Sequence, residues 1–525
     1  MLDNILRGSF INTLLQRLRS IYKYSWIALF IGAFTRSYES SGTKRLWERV
    51  FGASPSATES SGWTAFWTRF NSGCSRLGRQ VRPYAEQSLL YRFFTSPAYK
   101  ESFFYKVFFS RGTHRLIVVI FALYLPIDWV LRTYSPVAAL ASGWDEIFLL
   151  FTLGYVLFTR VFSPKAMGAK TTPYDIPLLI FIGLGFFLMC TMSPSLSVAV
   201  SGYRAVVQYM LWFFLLTRVM KSESDVNIFC GIMVAAATLI ALHGIYQFIV
   251  AAPIPANWVS QAEVGVRTRV YSIFGSPNIM GCFMVMFAPL TASYAYRVKP
   301  LWLKILIWGC AACMCLACLV TFSRGAWLGM AVAVSFFAVY KDRRIIALVL
   351  LAAGVAVFIP QVVNRITFLF TDEFALANNY GGRAGRWREG MKILNMANPY
   401  FGYGLGRFGG AVAMQNRTNL SINYFYMDNY YLKTLVEMGY IGLTGYIFVL
   451  VSLLFTALRS IFRTKARSIS PGVIGLAAGM IGVLVHCFTE NIFEVPYMNA
   501  YFWGMAAMVV FAGFGKKASG KSSPG

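Results

Sequence analysis

Acidic residues are scarce in this 525-residue chain: 21 Asp and Glu stand against 48 Lys and Arg, and charged residues of all kinds make up only 13%. Soluble domains carry about 25% charged residues. That shortage, with a hydrophobic share of 57%, excludes an ordinary soluble domain and points to a polytopic membrane protein. Histidine is rarer still: His114, His243 and His486 lie far apart, and no Asp-x-Asp triplet occurs. A Mg²⁺ or Mn²⁺ site needs clustered oxygen ligands, so metal-dependent chemistry is not expected, and no cofactor is expected either. The nine cysteines show no disulfide framework. The run "CAACMCLAC" at 310–318 lies among Ala, Leu and Met, without the polar partners that orient metal ligands, and reads as small apolar residues of a membrane helix. No cleavable signal-peptide pattern opens the chain, because basic residues continue past the first apolar run.

What is abundant is apolar sequence. A span needs about 20 mostly apolar residues, and twelve candidates follow residue 114: 116–131, 147–162, 176–192, 196–219, 226–250, 272–296, 301–320, 326–340, 345–359, 440–461, 472–487 and 498–514. Alternate connections are basic: Lys165 and Lys170; Lys221; Arg297, Lys299 and Lys304; Lys341, Arg343 and Arg344; Arg459, Arg463, Lys465 and Arg467. Positive charge marks the cytoplasmic side. Both termini are therefore expected inside, and the long segment 360–437 outside. The expected architecture is an all-α, multi-pass membrane protein of about twelve helices: spans at 114–359, a long extracytoplasmic loop at 360–437, and spans with a basic tail at 438–525.

Residues 1–113 carry sixteen Lys or Arg against six Asp or Glu. Ile5, Leu6, Phe10, Leu14, Leu18 and Ile21 recur at helical spacing with basic residues among them, which suits helices lying on an anionic cytoplasmic leaflet. Nucleic acid is the weaker reading, since the charge interleaves with apolar stripes rather than forming a solvated patch.

On the expected outer side, arginines gather. Arg267 and Arg269 precede one span in "VGVRTRVYSIFGSPNIMG"; Arg324 sits in the short turn of "VTFSRGAWLG"; Arg383 and Arg386 lie in "GGRAGRWREGMKIL", where a three-residue spacing puts both on one helix face. Arg204 lies within the outer half of a span, where an arginine by default marks a function or a partner. Asp128 is a candidate partner, unless it pairs with Arg132 four residues on. Guanidinium groups fit phosphate oxygens bidentately, and the natural anion at that depth is a lipid phosphate or pyrophosphate. Snorkelling to headgroups or pairing within the loop is the competing reading, equally weighted for Arg267, Arg365, Arg388 and Arg417. In "NPYFGYGLGRFGG" the glycines permit tight turns and close backbone approach, while its aromatic rings either face sugars or pack the loop onto the bundle. "YMDNYYLKTLVEMGYIGLTGY" places Asp428 and Asn429 where a membrane-grade helix begins. A carboxylate there is a general base or a helix N-cap.

Together "RVYSIFGSPNIMG", "TFSRGAWLG", "GGRAGRW…NPYFGYGLGRF" and "DNYYLKTLVEMGYIGL", in this order across these spans, resemble the O-antigen ligase and Wzy-type polymerase superfamily of bacterial envelope glycan enzymes. The resemblance covers about residues 170 to 515. It implies a GT-C-like helical transferase that moves a glycan from an undecaprenyl-pyrophosphate donor to a glycan or lipid acceptor, without metal, at the outer face of the bacterial cytoplasmic membrane. By position, Arg269 and Arg383 would clamp the pyrophosphate, with Asp428 completing the catalytic set. Arg386, Arg324, Arg204, Asn429, Asn278 and Arg407 are the further candidates for binding substrate. The ligase branch usually carries a histidine where this chain has Asp428, so the expectation is a polymerase. Ligase and protein O-oligosaccharyltransferase are sibling readings, and His486 beside Glu490 is either a substitute base or, the preferred reading, a buried helix histidine. An exporter of lipid-linked saccharide is the distant alternative, disfavoured because no internal repeat is found.

Overall fold

The computed structural model describes residues 112–162, 171–253, 268–417 and 425–515, with scattered positions between 72 and 108. The amphipathic region expected on the cytoplasmic leaflet falls largely outside the described residues, as do Arg267 and the basic tail. The chain forms two compact units, Met1–Ser88 and Leu89–Gly525, and the helices that follow all belong to the second.

The first half of that unit runs α1 (Thr113–Ala122), α2 (Tyr124–Tyr134), α3 (Ala138–Phe162), α4 (Asp175–Met192), α5 (Leu196–Val207), α6 (Leu211–Val219), α7 (Glu223–Ile249) and α8 (Pro277–Tyr294). It continues through α9 (Leu301–Val320), α10 (Arg324–Tyr340) and α11 (Arg344–Ala356). Three loop helices follow, α12 (Pro360–Thr367), α13 (Asp372–Asn379) and α14 (Arg383–Met396), then α15 (Ala411–Asn416), α16 (Tyr430–Thr464), α17 (Ser470–His486) and α18 (Pro496–Phe514). Local chemistry sets many starts. Ser222 and Asp225 form a capping box on α7. Ser276 caps α8 ahead of Pro277, and Pro360 and Pro496 open their helices where a missing N–H costs nothing. Between α1 and α2 the chain bends by 65°, close to Pro126, which has no N–H to give. The groups freed at the bend are met by one side chain: the Tyr501 hydroxyl accepts from Leu125 N and donates to Ala122 O, both at 2.9 Å.

Each of the twelve expected spans contains a helix, but not all twelve meet the length and hydropathy of a crossing by themselves. Among the described residues seven are long and apolar enough to cross a membrane, or eight if the bent α1–α2 pair is one span. α10 and α17, with 17 residues each, stand at the short end of the range for a crossing, and α11, with 13, falls below it. α8 is buried along almost its whole length, from Pro277 to Ser293. Together with α17 and α18 it forms the centre of the bundle. Glycine makes that centre possible. At Gly479 a Cβ would overlap the Met286 carbonyl of α8, so the two backbones approach at the distance that small residues allow in membrane bundles.

Candidate active site

Asn429, not Asp428, caps α16: its side-chain oxygen accepts from Leu432 N at 3.0 Å. Asp428 is thereby left to other partners. Its Oδ2 accepts from Arg383 Nε at 2.7 Å and from Arg386 Nη2 at 2.8 Å, and Oδ1 accepts from Trp387 Nε1 at 3.3 Å. The three donors occupy the first five residues of α14 at the i, i+3, i+4 spacing that shares one helix face. Arg386 also donates to Gly381 O at 3.0 Å. Next to Asp428, Met427 is fully buried with Ile393, Leu394 and Phe408, which holds this segment beneath α14.

A second set of arginines converges on the turn between α9 and α10. Phe322 sits there with φ of +51°, in the left-handed region that a bulky residue rarely adopts. That conformation turns successive carbonyls toward different guanidiniums. Arg269 Nε donates to Thr321 O and Arg365 Nε to Phe322 O, each at 3.1 Å. Arg324 donates to Arg365 O at 3.4 Å and lies over the Phe374 ring. Arg269 also donates to Asn278 Oδ1 at 3.3 Å, and the Asn278 amide donates in turn to Glu490. Burial, with Arg324 and Arg383 adding to it, pushes Arg269 down to about 10, Glu490 acting in the opposite sense. Burial and Arg383 do the same to Arg365, also to about 10. Burial raises Glu490, with Asp428 adding to it and Arg383 opposing. Arg383 is thus close enough to act on both arginine sets and on Glu490. The interior carries more positive charge here than its own carboxylates neutralise.

The glycine-rich segment locks onto a break in α16. Gly439 has φ of +67° and ψ of −172°, which removes helical partners on both sides of it. The loop replaces them. Tyr403 N donates to Val436 O at 2.7 Å and Gly404 N to Glu437 O at 3.0 Å, while Tyr440 N and Ile441 N donate to Pro399 O and Tyr400 O. Below the break, buried Lys433 bridges Glu437 at 2.8 Å and Glu494 at 2.9 Å. Glu437 accepts from Phe408 N and Glu494 from Ala411 N. Sequence reasoning passed over this cluster. The available signal was a Lys–Glu pair at i, i+4 inside an apolar helix, where charge is expensive unless paired.

Of the residues expected at the site, Asp428, Arg383, Arg386, Arg269, Arg324 and Asn278 are drawn into this network. Arg365, left open from sequence, joins it as a buried side chain. Two others lie on different partners. Arg204 is 64% exposed along its side chain and pairs with Glu146 at 2.9 Å, while Asp128 pairs with Arg132 and accepts from Trp144. Arg407 donates to Tyr403 O at 2.7 Å and stacks on the Tyr403 ring. Arg388 binds Asn379, and Arg417 ends α15. His486 is buried at the end of α17. An open cavity of about 520 Å³ adjoins the Asp428 cluster, lined by Trp387, Arg388, Lys392, Asn395 and Asn429 among others.

No curated protein matches the chain. A family model described as O-antigen ligase matches residues 309–447. That span holds the α9–α10 turn, α14, the glycine-rich loop and the start of α16, whereas Arg269, Asn278 and Glu490 reach the site from outside it. The protein is an all-α, multi-pass membrane protein, and its residues 309–447 are similar to the O-antigen ligase family.

Proposed function

We propose that this protein transfers a glycan from a polyprenyl-pyrophosphate donor, of the undecaprenyl class, to a hydroxyl of a second glycan at the outer face of the bacterial cytoplasmic membrane, as a Wzy-type polymerase. One observation carries the reading: five guanidinium groups form two neighbouring sets with only two carboxylates among them, Arg383 and Arg386 on Asp428, and Arg269, Arg324 and Arg365 at the α9–α10 turn, where Asn278 links Arg269 to Glu490. Such a surplus suits a pyrophosphate, which accepts bidentate guanidinium bonds.

The donor's phosphates exchange partners with Asp428, drawing Arg383 and Arg386 off its carboxylate. The acceptor hydroxyl oxygen then attacks the anomeric carbon. The bond from that carbon to the pyrophosphate oxygen breaks, and its electron pair leaves with the polyprenyl pyrophosphate. The hydroxyl proton passes to the freed Asp428 as attack proceeds. The arginines stabilise charge developing on the leaving group, the task a metal performs elsewhere. The cavity beside Trp387 and Asn429 gives the acceptor an approach to Asp428.

The basic connections between spans support an inward placement of both termini and an outward placement of this site. A carboxylate at position 428 favours polymerase over ligase chemistry; the family description favours ligase. The glycan profile of a deletion strain separates them. Shortened chains that remain attached mark a polymerase, and full-length chains left unattached mark a ligase.

A further inference from the structure

Between α8, α9, α10 and α11 lies an apolar cavity of about 520 Å³, lined by Ala288, Trp308, Cys315, Leu319, Trp327 and Leu348 among others. We infer that this cavity seats the hydrocarbon chain of the anionic lipid whose headgroup the arginine cluster holds. The inference rests on the proposed donor chemistry and adds a binding site to it.

Continuity between cavity and cluster carries the argument. Cys318 and Leu319 line the cavity near the end of α9, and both carbonyls accept from the Trp327 indole, at 3.3 and 3.1 Å. Two and three residues beyond Leu319, the Thr321 and Phe322 carbonyls hold Arg269 and Arg365. Trp327, also lining the cavity, sits one turn into α10 from Arg324, and Phe322 packs on it with ring centroids 6.2 Å apart. The apolar space therefore begins within a turn of three guanidinium groups. From Leu319 it follows α9 back to Trp308, eleven residues or about 17 Å at the helical rise, roughly half the hydrocarbon thickness. A charged end and an apolar shaft of that length complement an amphiphile with an anionic head and a long chain. Hydrocarbon gains little by moving from bilayer to cavity, since lipid tails are as apolar as leucine. The cavity's effect is on where the chain points: it keeps the tail clear of α14 and aims the pyrophosphate at Arg269 and Arg383.

Ala312 and Ala331 line the cavity and are exposed at its mouth, so larger side chains there fill space without displacing buried neighbours. The test compares purified Ala312→Trp and Ala331→Trp proteins on two pyrophosphate donors with the same glycan, one on a long polyprenyl chain and one on a two-isoprene chain. The expected result is a KM for the long-chain donor raised about tenfold, with kcat and the short-chain KM within about twofold of the parent. Equal effects on both donors, or none on the long one, overturn the inference. So does loss of a co-purifying bilayer phospholipid with both donors handled normally, which assigns the cavity to a bilayer lipid. Arg383→Ala runs in parallel and slows both donors alike. Unchanged turnover of both would refute the headgroup reading, whatever the tryptophan variants do.

Discussion

Asp428 rests between two guanidinium groups and an indole, and the proposed transfer assigns it two separable roles. In that proposal it would hold Arg383 and Arg386 in place before the donor arrives, and would take a proton once they have left it. Asp428→Asn keeps the shape and some hydrogen bonding but removes the charge and the basicity. The expected outcome is a loss of transfer of about 10²–10⁴, with donor binding unchanged or tighter because a competing anion is gone. More than about half of the parent rate in that variant removes the base role. Asp428→His, which installs the residue usual in the ligase branch, should recover part of the activity if position 428 acts as a base in either form. Arg383 stands between the two arginine sets, so Arg383→Ala is expected to cost about 10²–10³ in turnover. Lysine there should restore only a fraction, since a point charge cannot replace the planar fork. Turnover assays on folded, detergent-purified protein check both. The arginines themselves were legible in sequence because charge beside apolar spans needs a reason. Their pairing with Asp428 was not, because Arg383 lies 45 positions before it in the chain, on a separate helix.

The decisive element is the break in α16. A continuous apolar run from Leu443 onward makes a helix legible, and "MGYIGLTGY" gives no sign that Gly439 interrupts it. The break exists because the glycine-rich loop is there to take the freed backbone groups. Neither segment has a reason for its conformation without the other. Gly439→Ala would strain a positive φ and press a methyl group onto the Tyr400 carbonyl. It is expected to lower the thermal midpoint by at least about 2 °C and to reduce transfer, as the start of α16 carries Asp428 with it. Gly183→Ala is the matched control. That glycine faces open space in α4, and alanine there should be neutral or slightly stabilising, as alanine favours helix. Equal destabilisation by the two variants would mean that the loop is not docked on the break. The glycines of "NPYFGYGLGRFGG" pointed to close backbone approach, and what they approach is this helix.

For the whole molecule, orientation governs every assignment at the site. A cysteine at Asn416, exposed at the end of α15, should react with a membrane-impermeant thiol reagent in intact spheroplasts, measured against the parent protein. One at Ser468, in the turn between α16 and α17, should react only after permeabilisation. The reverse pattern would turn the site inward and end the proposed function. The sequence by itself determined the class: too few charges for a soluble domain, apolar runs of helical length, and a basic bias at alternate connections. These are local properties, set by what each segment can expose to lipid or to an anionic leaflet. Only the tertiary structure decided which helices face lipid at all. α8 and α17 read as spans by composition, yet they are enclosed by protein, because a helix that is apolar all round satisfies a bundle core and a bilayer equally well. The same holds for the site. Arg269, Arg365, Arg383, Asp428 and Glu490 are spread over more than 200 residues, and what joins them is the left-handed turn at Phe322 and the break at Gly439. Both are backbone conformations that a chain adopts only when neighbouring segments supply the missing partners.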